Sequence, residues 1–496
     1  MRTIRSLALM LFVPAALLAQ STQSVTNAVR SITPDDILHR IGVIADDSMR
    51  GRDTPSPELD ETADYVAGEF QRFGLKPGGD GGTFIQRYAI RQVALNAASS
   101  VIRVGGGPTW HAGPDFVVRS GSVSQPVTGN VVIVDGSQGD PAALDAVPAG
   151  SIIVWVQASG PAGRQIFSAV IRRSPAALIL VGQRNDESWN RIAASQDRPR
   201  PQVGGEDAFV WLEMREATVG PVLRQHGYDL AAVRADAQRP FTVTQLPDLQ
   251  LALDLHYDVV EELSAPNSVG ILEGSDPVLK HEYIVFSGHM DHVGVGIAVN
   301  GDSIYNGADD DASGTIAVVE LAEAFTKLNP RPKRSIIFLT VSGEEKGMWG
   351  SGYFAANPPV PIEQIVADLN ADMVGRNWPD TIVVIGKEHS DLGQTLNRVT
   401  AEHPELNMAT IDDIWPEQNF YSRSDHYNFA RRGVPILFFF NGTHADYHRP
   451  SDEVAKIDGE KESRIVKLMF YLGLEIANAA DRPKWNPESY RQVVGG

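Results

Sequence analysis

Between Asn306 and Thr315 the chain reads NGADDDASGT, with three aspartates in a row. Adjacent like charges repel, and Asp is a weak former of both helix and strand. Taken alone, the segment is a solvated turn. Four other stretches change that reading. SGHMDHVG carries His289, Asp291 and His292, and VSGEEKGMWGS carries Glu344 and Glu345. LNADMVG carries Asp372, and THADYHRPSDEV carries His444, Asp446, Tyr447 and His448. Imidazole and carboxylate are the ligand types of low-coordination zinc. Two ions ~3.5–4 Å apart need a carboxylate shared between them. In His-x-Asp, Asp291 is placed to hold the far ring nitrogen of His289. In Glu-Glu, one carboxylate can bind metal while its neighbour takes a proton from the attacking water. Charge counting agrees: two Zn²⁺ are balanced by Asp310, Glu345, Asp372 and one hydroxide, with His289 and His448 neutral. Without cations, three carboxylates in one small site would raise one another's pKa. His292, beside His289, reads as a solvated neighbour.

These residues need strands to bring them together. YIVFSG, IIFLTVSG, IVADLNA and VPILFFFNG are apolar runs that end at or just before the candidate ligands. Continuous rather than alternating runs mark strands buried on both faces. GTIAVVELAEAFTKL and SDLGQTLNRVTAEH have helical spacing; the first has Ser313 as a candidate N-cap and Glu323–Lys327 as an i,i+4 pair. Strand–helix alternation makes this an α/β domain around a central sheet. In such sheets, function gathers past the carboxyl ends of the strands. Upstream, Ile37, Ile41 and Ile44, and then Ala63, Val66, Phe70 and Phe73, predict two helices within residues 33–95, while Ser21 to Ser31 reads as loose. SSVIRV, FVVRS, NVVIVDG, SIIVWVQ and AALILVG predict short strands, with a helix over Gln165–Ser174, in a separate β-rich domain over 96–250. The sheet with the site resumes over 251–480, and 481–496 is a tail.

Five motifs in one order, SGHMDHVG, GADDDASG, VSGEEKGMWGS, LNADMVG and YHRPSDEV, resemble the co-catalytic zinc exopeptidases typified by bacterial leucyl aminopeptidases and glutamate carboxypeptidase. The resemblance is strong over 260–460. It implies a three-layer α/β/α peptidase domain with a central mixed, mostly parallel sheet. It also implies two Zn²⁺ per chain: His289 and Asp372 on one, Glu345 and His448 on the other, and Asp310 bridging both. By the same resemblance Glu344 is the general base, Asp291 orients His289, Tyr447 meets the developing oxyanion, and the Asp310–Asp311 peptide is cis. The implied activity is removal of N-terminal residues from a peptide substrate through a dizinc-bridged hydroxide; a carboxypeptidase or dipeptidase, or a non-catalytic receptor-like homologue, is the alternative. The β-rich insert resembles a protease-associated domain. FYSRSDHYNFARRG matches a segment near the substrate pocket; there Arg423 reads as half of a structural ion pair ahead of a contact to a substrate carboxylate, and Asp425 and His426 as support for the site rather than ligands.

Composition narrows the field. The formal charge of -19 argues against nucleic acid and anionic membrane surfaces. The absence of Cys removes thiolate catalysis and Cys-ligated zinc. Arg2 and Arg5 followed by an apolar run from Leu7 to Ala19 read as a secretory signal over 1–20, too short for a membrane span. An exported chain without disulfides fits a bacterial periplasm or exterior.

Overall fold

The computed structural model describes residues 15–136, 144, 146–156, 170, 173, 175–203, 208–236 and 239–495. The chain divides into two compact units. One joins the chain up to Tyr88 with Ser264–Gly495, and the other is Ala89–Leu263.

The first unit is built on a mixed sheet. Its strand order is Ala409–Ile411, Thr381–Ile385, Ile436–Phe439, Ile365–Ala371, Tyr283–His289, Ser335–Val341 and then Tyr257–Leu272. At its centre Tyr283–His289 pairs in parallel with Ser335–Val341 and Ile365–Ala371, and the latter pairs in parallel with Ile436–Phe439. The pairings of Ser335–Val341 with Ser268–Leu272 and of Thr381–Ile385 with Ile436–Phe439 are antiparallel. The central strands are buried along their length except at Tyr283, as continuous apolar runs require.

Side chains alternate between two cores. Ile284, Phe286, Ile336 and Phe338 join a cluster with the helices Pro34–Ile44, Pro57–Arg72, Gly314–Thr326, Leu392–Glu402 and Gly459–Asn478. Val285, Ile337 and Leu339 join Phe354 and Phe429, from the helices Trp349–Ala356 and His426–Ala430, on the opposite face. The period of two thus sends successive residues into separate helix layers, which makes the unit a three-layer α/β/α arrangement. Phe286 and Phe338 stack at 5.9 Å between ring centroids within the larger core.

Local signals set the helix ends. Thr33 accepts from the Asp36 N–H at 3.1 Å before Pro34–Ile44, and Ser56 accepts from the Leu59 N–H at 3.0 Å before Pro57–Arg72. Both helices begin with Pro, whose missing N–H costs nothing there. The Glu323–Lys327 pair forms at 2.6 Å.

Two sequence expectations fail. Ser21–Ser31 is not loose: Ala15–Arg30 is one helix, and Ala28 is buried in the main core, where packing supplies what propensity lacks. Ser313 is not an N-cap. It lies inside a wide π-type turn, Ala308–Ser313, and its hydroxyl donates back to the Asp309 carbonyl at 2.8 Å. The charged start and most of the apolar run expected to form a signal lie outside the described residues.

The second unit has its own mixed sheet, ordered Thr109–His111, Val101–Val104, Thr242–Asp254, Val127–Asp135, Ile152–Val156, Ala177–Gly182, Ala208–Arg215 and Phe116–Ser122. Val127–Asp135, Ile152–Val156, Ala177–Gly182 and Ala208–Arg215 pair in parallel. The helix expected over Gln165–Ser174 falls almost wholly outside the described residues. Among the described residues no helix is long and apolar enough to cross a membrane.

Candidate metal centre

The site lies at the carboxyl rim of the first unit's sheet. His289 is the last residue of Tyr283–His289, Glu344 and Glu345 follow Ser335–Val341, and Asp372 follows Ile365–Ala371. The three-aspartate turn precedes the helix Gly314–Thr326 and is fully buried. His448 arrives on the loop after Ile436–Phe439, with φ of 53°.

The turn divides its aspartates by task. Asp311 accepts from three backbone N–H groups: His289 at 3.1 Å, Gly314 at 2.8 Å and Met373 at 3.0 Å. Asp309 accepts from the Gly375 N–H at 2.7 Å and lies 3.1 Å from His444 Nε2. The outer two therefore brace the loops. The middle one, Asp310, points inward: Oδ1 is 3.4 Å from His289 Nε2, and Oδ2 is 3.1 Å from His448 Nε2. The Asp310–Asp311 peptide is cis.

Two groups of donors result. His289, Asp311 and Asp372 form one, and His292, Asp310, Glu345 and His448 the other. Asp311 is committed to backbone N–H groups, so Asp310 Oδ1 is the freer oxygen beside His289 and Asp372. Zinc–ligand bonds of 2.0–2.2 Å in a tetrahedron put ligand atoms roughly 3.3–3.5 Å apart. His289 Nε2 is 3.4 Å from Asp310 and 3.7 Å from Asp372, and His448 Nε2 is 3.1 Å from both Asp310 and Glu345. These separations fit metal ligands. Asp310 Oδ2, Glu345 Oε1 and His448 Nε2 are buried without a hydrogen-bond partner, which leaves their lone pairs for a cation.

The electrostatics also call for positive charge. Burial opposes charging His448, but Asp310 and Glu345 outweigh it and push its pKa up to about 10. Burial likewise opposes charging His289, which its carboxylate neighbours, Asp311 foremost, still hold well above the ordinary range. Burial raises Glu344 well above the usual carboxyl range, and Asp425, Asp372 and Glu345 add to it.

Several supporting residues carry no signal in the sequence. Arg52 sits in the Gly/Pro/Ser loop after the first core helix, yet it is completely buried. Its guanidinium donates to the carbonyls of Met290, Ile44, Asn306 and Gly307 at 2.8, 2.8, 2.6 and 3.0 Å. It thus ties the His289 loop to the aspartate turn. Burial brings its pKa down to about 10, with Asp291 and Asp310 opposing, so it stays charged at neutral pH. Asp452 accepts from the Asp309 and Asp310 N–H groups at 3.1 Å, and Ser424 donates to Asp372 at 2.8 Å.

His292 departs most from expectation. It is fully buried rather than solvated, with Nδ1 2.9 Å from Glu345 Oε1. Asp291 also differs in detail. Its carboxylate is 3.6 Å from His289 Nδ1, whereas its own backbone carbonyl is 3.2 Å away. The carboxylate instead accepts from Thr54 Oγ1 at 3.0 Å and from the Glu344 N–H at 3.2 Å, linking the ligand His to the Glu-Glu loop.

A cleft opens beside the donors, lined by Met373, Phe420, Phe438 and Phe440 and also by Arg423 and Tyr447. The Tyr447 ring stacks on His448 at 3.9 Å. Arg423 lies over Phe420 at 4.7 Å. The ion pair expected for Arg423 is not found among the described residues. Asp425 accepts from Ser351 at 2.5 Å and His426 contacts the Tyr421 carbonyl at 2.9 Å, so both act as supports.

The sequence model of peptidase family M28 matches residues 267–473, the span that holds every donor named above. Over that span the chain is similar to peptidase family M28. A "Probable zinc metalloprotease" of Leptosphaeria maculans is 26% identical over 257 residues, covering 44% of this chain and 58% of that protein. A "Probable leucine aminopeptidase" of Arthroderma benhamiae is 25% identical over 330 residues, covering 61% and 89%. Among solved structures, the aminopeptidase from Aneurinibacillus sp. strain AM-1 is 18% identical, covering 92% of this chain and 97% of its own, with a TM-score of 0.48. The chain spans about half the length of the zinc metalloproteases it matches, 58% and 40% of the first two. Within the matched span, Asn441 is fully buried, and its side-chain amide bonds the backbone of Arg376, Thr381 and Val383.

Proposed function

We propose that the protein is an exported zinc-dependent exopeptidase that removes apolar residues from the N-termini of peptides, with two Zn²⁺ per chain. The observation that carries this reading is the Asp310 carboxylate, set between His289 on one side and His448 on the other. His289, Asp310 and Asp372 would hold one ion, and Asp310, Glu345 and His448 would hold the other. When bound, the pair supplies Lewis acidity toward a peptide carbonyl and acidifies water.

The chain's own groups do the rest. Glu344 takes a proton from the attacking water and returns it to the leaving amine. A buried carboxylate with raised proton affinity suits that exchange near neutral pH. The hydroxyl of Tyr447, which lines the cleft, donates to the oxygen on which negative charge develops. Met373, Phe420, Phe438 and Phe440 form an apolar wall for the side chain being released. Relatives named leucine aminopeptidases agree with such a preference. Arg2, Arg5 and the apolar run after them support export. The unit Ala89–Leu263 is read as a protease-associated-like insert on its strand rhythm.

A second reading keeps the chemistry and reverses the substrate. Arg423 places a cation on the cleft without an anionic partner among the described residues, and a carboxypeptidase or dipeptidase would use one for a terminal carboxylate. The two are separated by assaying aminoacyl-nitroanilides against N-blocked peptides with free C-termini. Cleavage of leucyl-nitroanilide that stops on chelation supports the aminopeptidase. Cleavage of the blocked peptides alone replaces it with the second reading, and activity that survives complete zinc removal refutes both.

A further inference from the structure

We propose that His292 is a direct ligand of the second metal ion, completing a closed set of four donors: His292 Nδ1, Asp310 Oδ2, Glu345 and His448 Nε2. The inference rests on the dizinc reading above and adds a residue to it. His292 Nδ1 lies 2.9 Å from Glu345 Oε1 and 3.7 Å from Asp310 Oδ2. A buried imidazole that close to a carboxylate would ordinarily align for a hydrogen bond. Here the atoms are not aligned for one: His292 Nδ1, Glu345 Oε1 and Asp310 Oδ2 all lack a hydrogen-bond partner by geometry. Close approach without donor–acceptor alignment is the geometry of atoms aimed at a common third centre. The separations bracket the roughly 3.3–3.5 Å between ligands of one tetrahedral zinc. The four residues' donor atoms lie within 4.8 Å of one another, and the His292 and His448 rings meet edge to face at 5.5 Å, which keeps either from screening the other.

The backbone is arranged to admit the ring. Gly307 has φ of 56°, and a Cβ there would fall 2.5 Å from His292 Cγ. The His292 N–H is held by the Arg52 carbonyl at 3.3 Å, from the same loop whose guanidinium grips Asn306 and Gly307. The ring is fully buried, so solvation does not explain its place. Two imidazoles and two carboxylates close a tetrahedral zinc site, whereas His289, Asp310 and Asp372 supply three donors and leave a position open. The two ions would then differ: one firmly caged, the other exchangeable and open to substrate.

The test uses the full chain, stripped by chelator and titrated with Zn²⁺ and Co²⁺ against a chromophoric competitor. Wild type should take up two ions of unequal affinity. H292A should hold one ion at wild-type affinity and bind the other more than about 100-fold more weakly, beyond the 10–100-fold expected for loss of a merely supporting group. A smaller loss overturns the proposal. X-ray absorption on the wild-type dizinc protein needs no variant: three imidazoles shared over two ions support the assignment, and two overturn it. Uptake of fewer than two ions by wild type would instead sink the dizinc reading, so the two failures are distinguishable.

Discussion

Glu344→Gln separates catalysis from architecture. Gln has the same shape and keeps the backbone N–H that bonds Asp291 at 3.2 Å, so the loop that carries Glu345 stays in register. What disappears is the ability to accept a proton. Loss of a positioned general base costs about 10²–10⁴-fold in turnover, or about 2.7–5.4 kcal/mol at 1.36 kcal/mol per decade. The structure adds a second expectation of opposite sign. Burial and the carboxylates of Asp425, Asp372 and Glu345 all disfavour the Glu344 anion. Neutral Gln relieves that repulsion, so the metal-free variant should unfold at the same temperature as wild type or higher. The assay is steady-state hydrolysis of leucyl-nitroanilide with zinc content measured on the same samples, and a thermal melt of the stripped proteins. Reduced kcat with two retained zincs and an undiminished melt is the expected result. Turnover within threefold of wild type, at full zinc, would refute the role; a lowered melt would show that Glu344 stabilises the fold.

Arg52→Lys should lower unfolding free energy by about 3–5 kcal/mol, because one ammonium cannot serve four buried carbonyls; denaturant melts measure it. Phe440→Ala should reduce the preference for leucyl over alanyl substrates by about 10-fold or more, read as the ratio of kcat/KM values. Removing zinc should lower the melting temperature, since each ion present at about 1,000 times its Kd contributes about 4 kcal/mol. Glu282 accepts from the buried Arg334 at 2.7 Å and from Arg482 at 2.8 Å; burial works against its charge, but the two guanidiniums win and hold its pKa below 4.5. Its contribution is therefore present above about pH 4.5 and lost as pH falls through the depressed value, so Glu282→Gln should cost about 1–3 kcal/mol at pH 7 and progressively less below pH 4.

The reach of the sequence is clearest at the strand ends. IVFSGH, FLTVSGEE and VADLNAD each couple a mostly apolar run to a ligand-type residue at its end, where a strand buried on both faces reaches the rim of the sheet. Hence His289, Glu344, Glu345 and Asp372 could be placed on one rim from one-dimensional pattern alone. The same pattern marked three aspartates, and the choice of Asp310 among them came from the family resemblance and not from local period. Which of them faces inward depends on which backbone N–H groups each oxygen meets: Asp311 finds those of His289 and Met373, residues distant in sequence, and Asp310 is left free. Arg52, Ser424 and Asp452 acquire roles in the same way, through contacts that only folding brings together. His292 shows the limit most directly. Its type and spacing read as a solvated companion of His289, and only the fold buries its ring, close to Gly307 and beside Glu345. Residue type and local period determine which chemistry can be present and on which edge; the direction of each side chain is decided by long-range packing, because burial and hydrogen-bond satisfaction belong to the whole fold and not to a window of sequence.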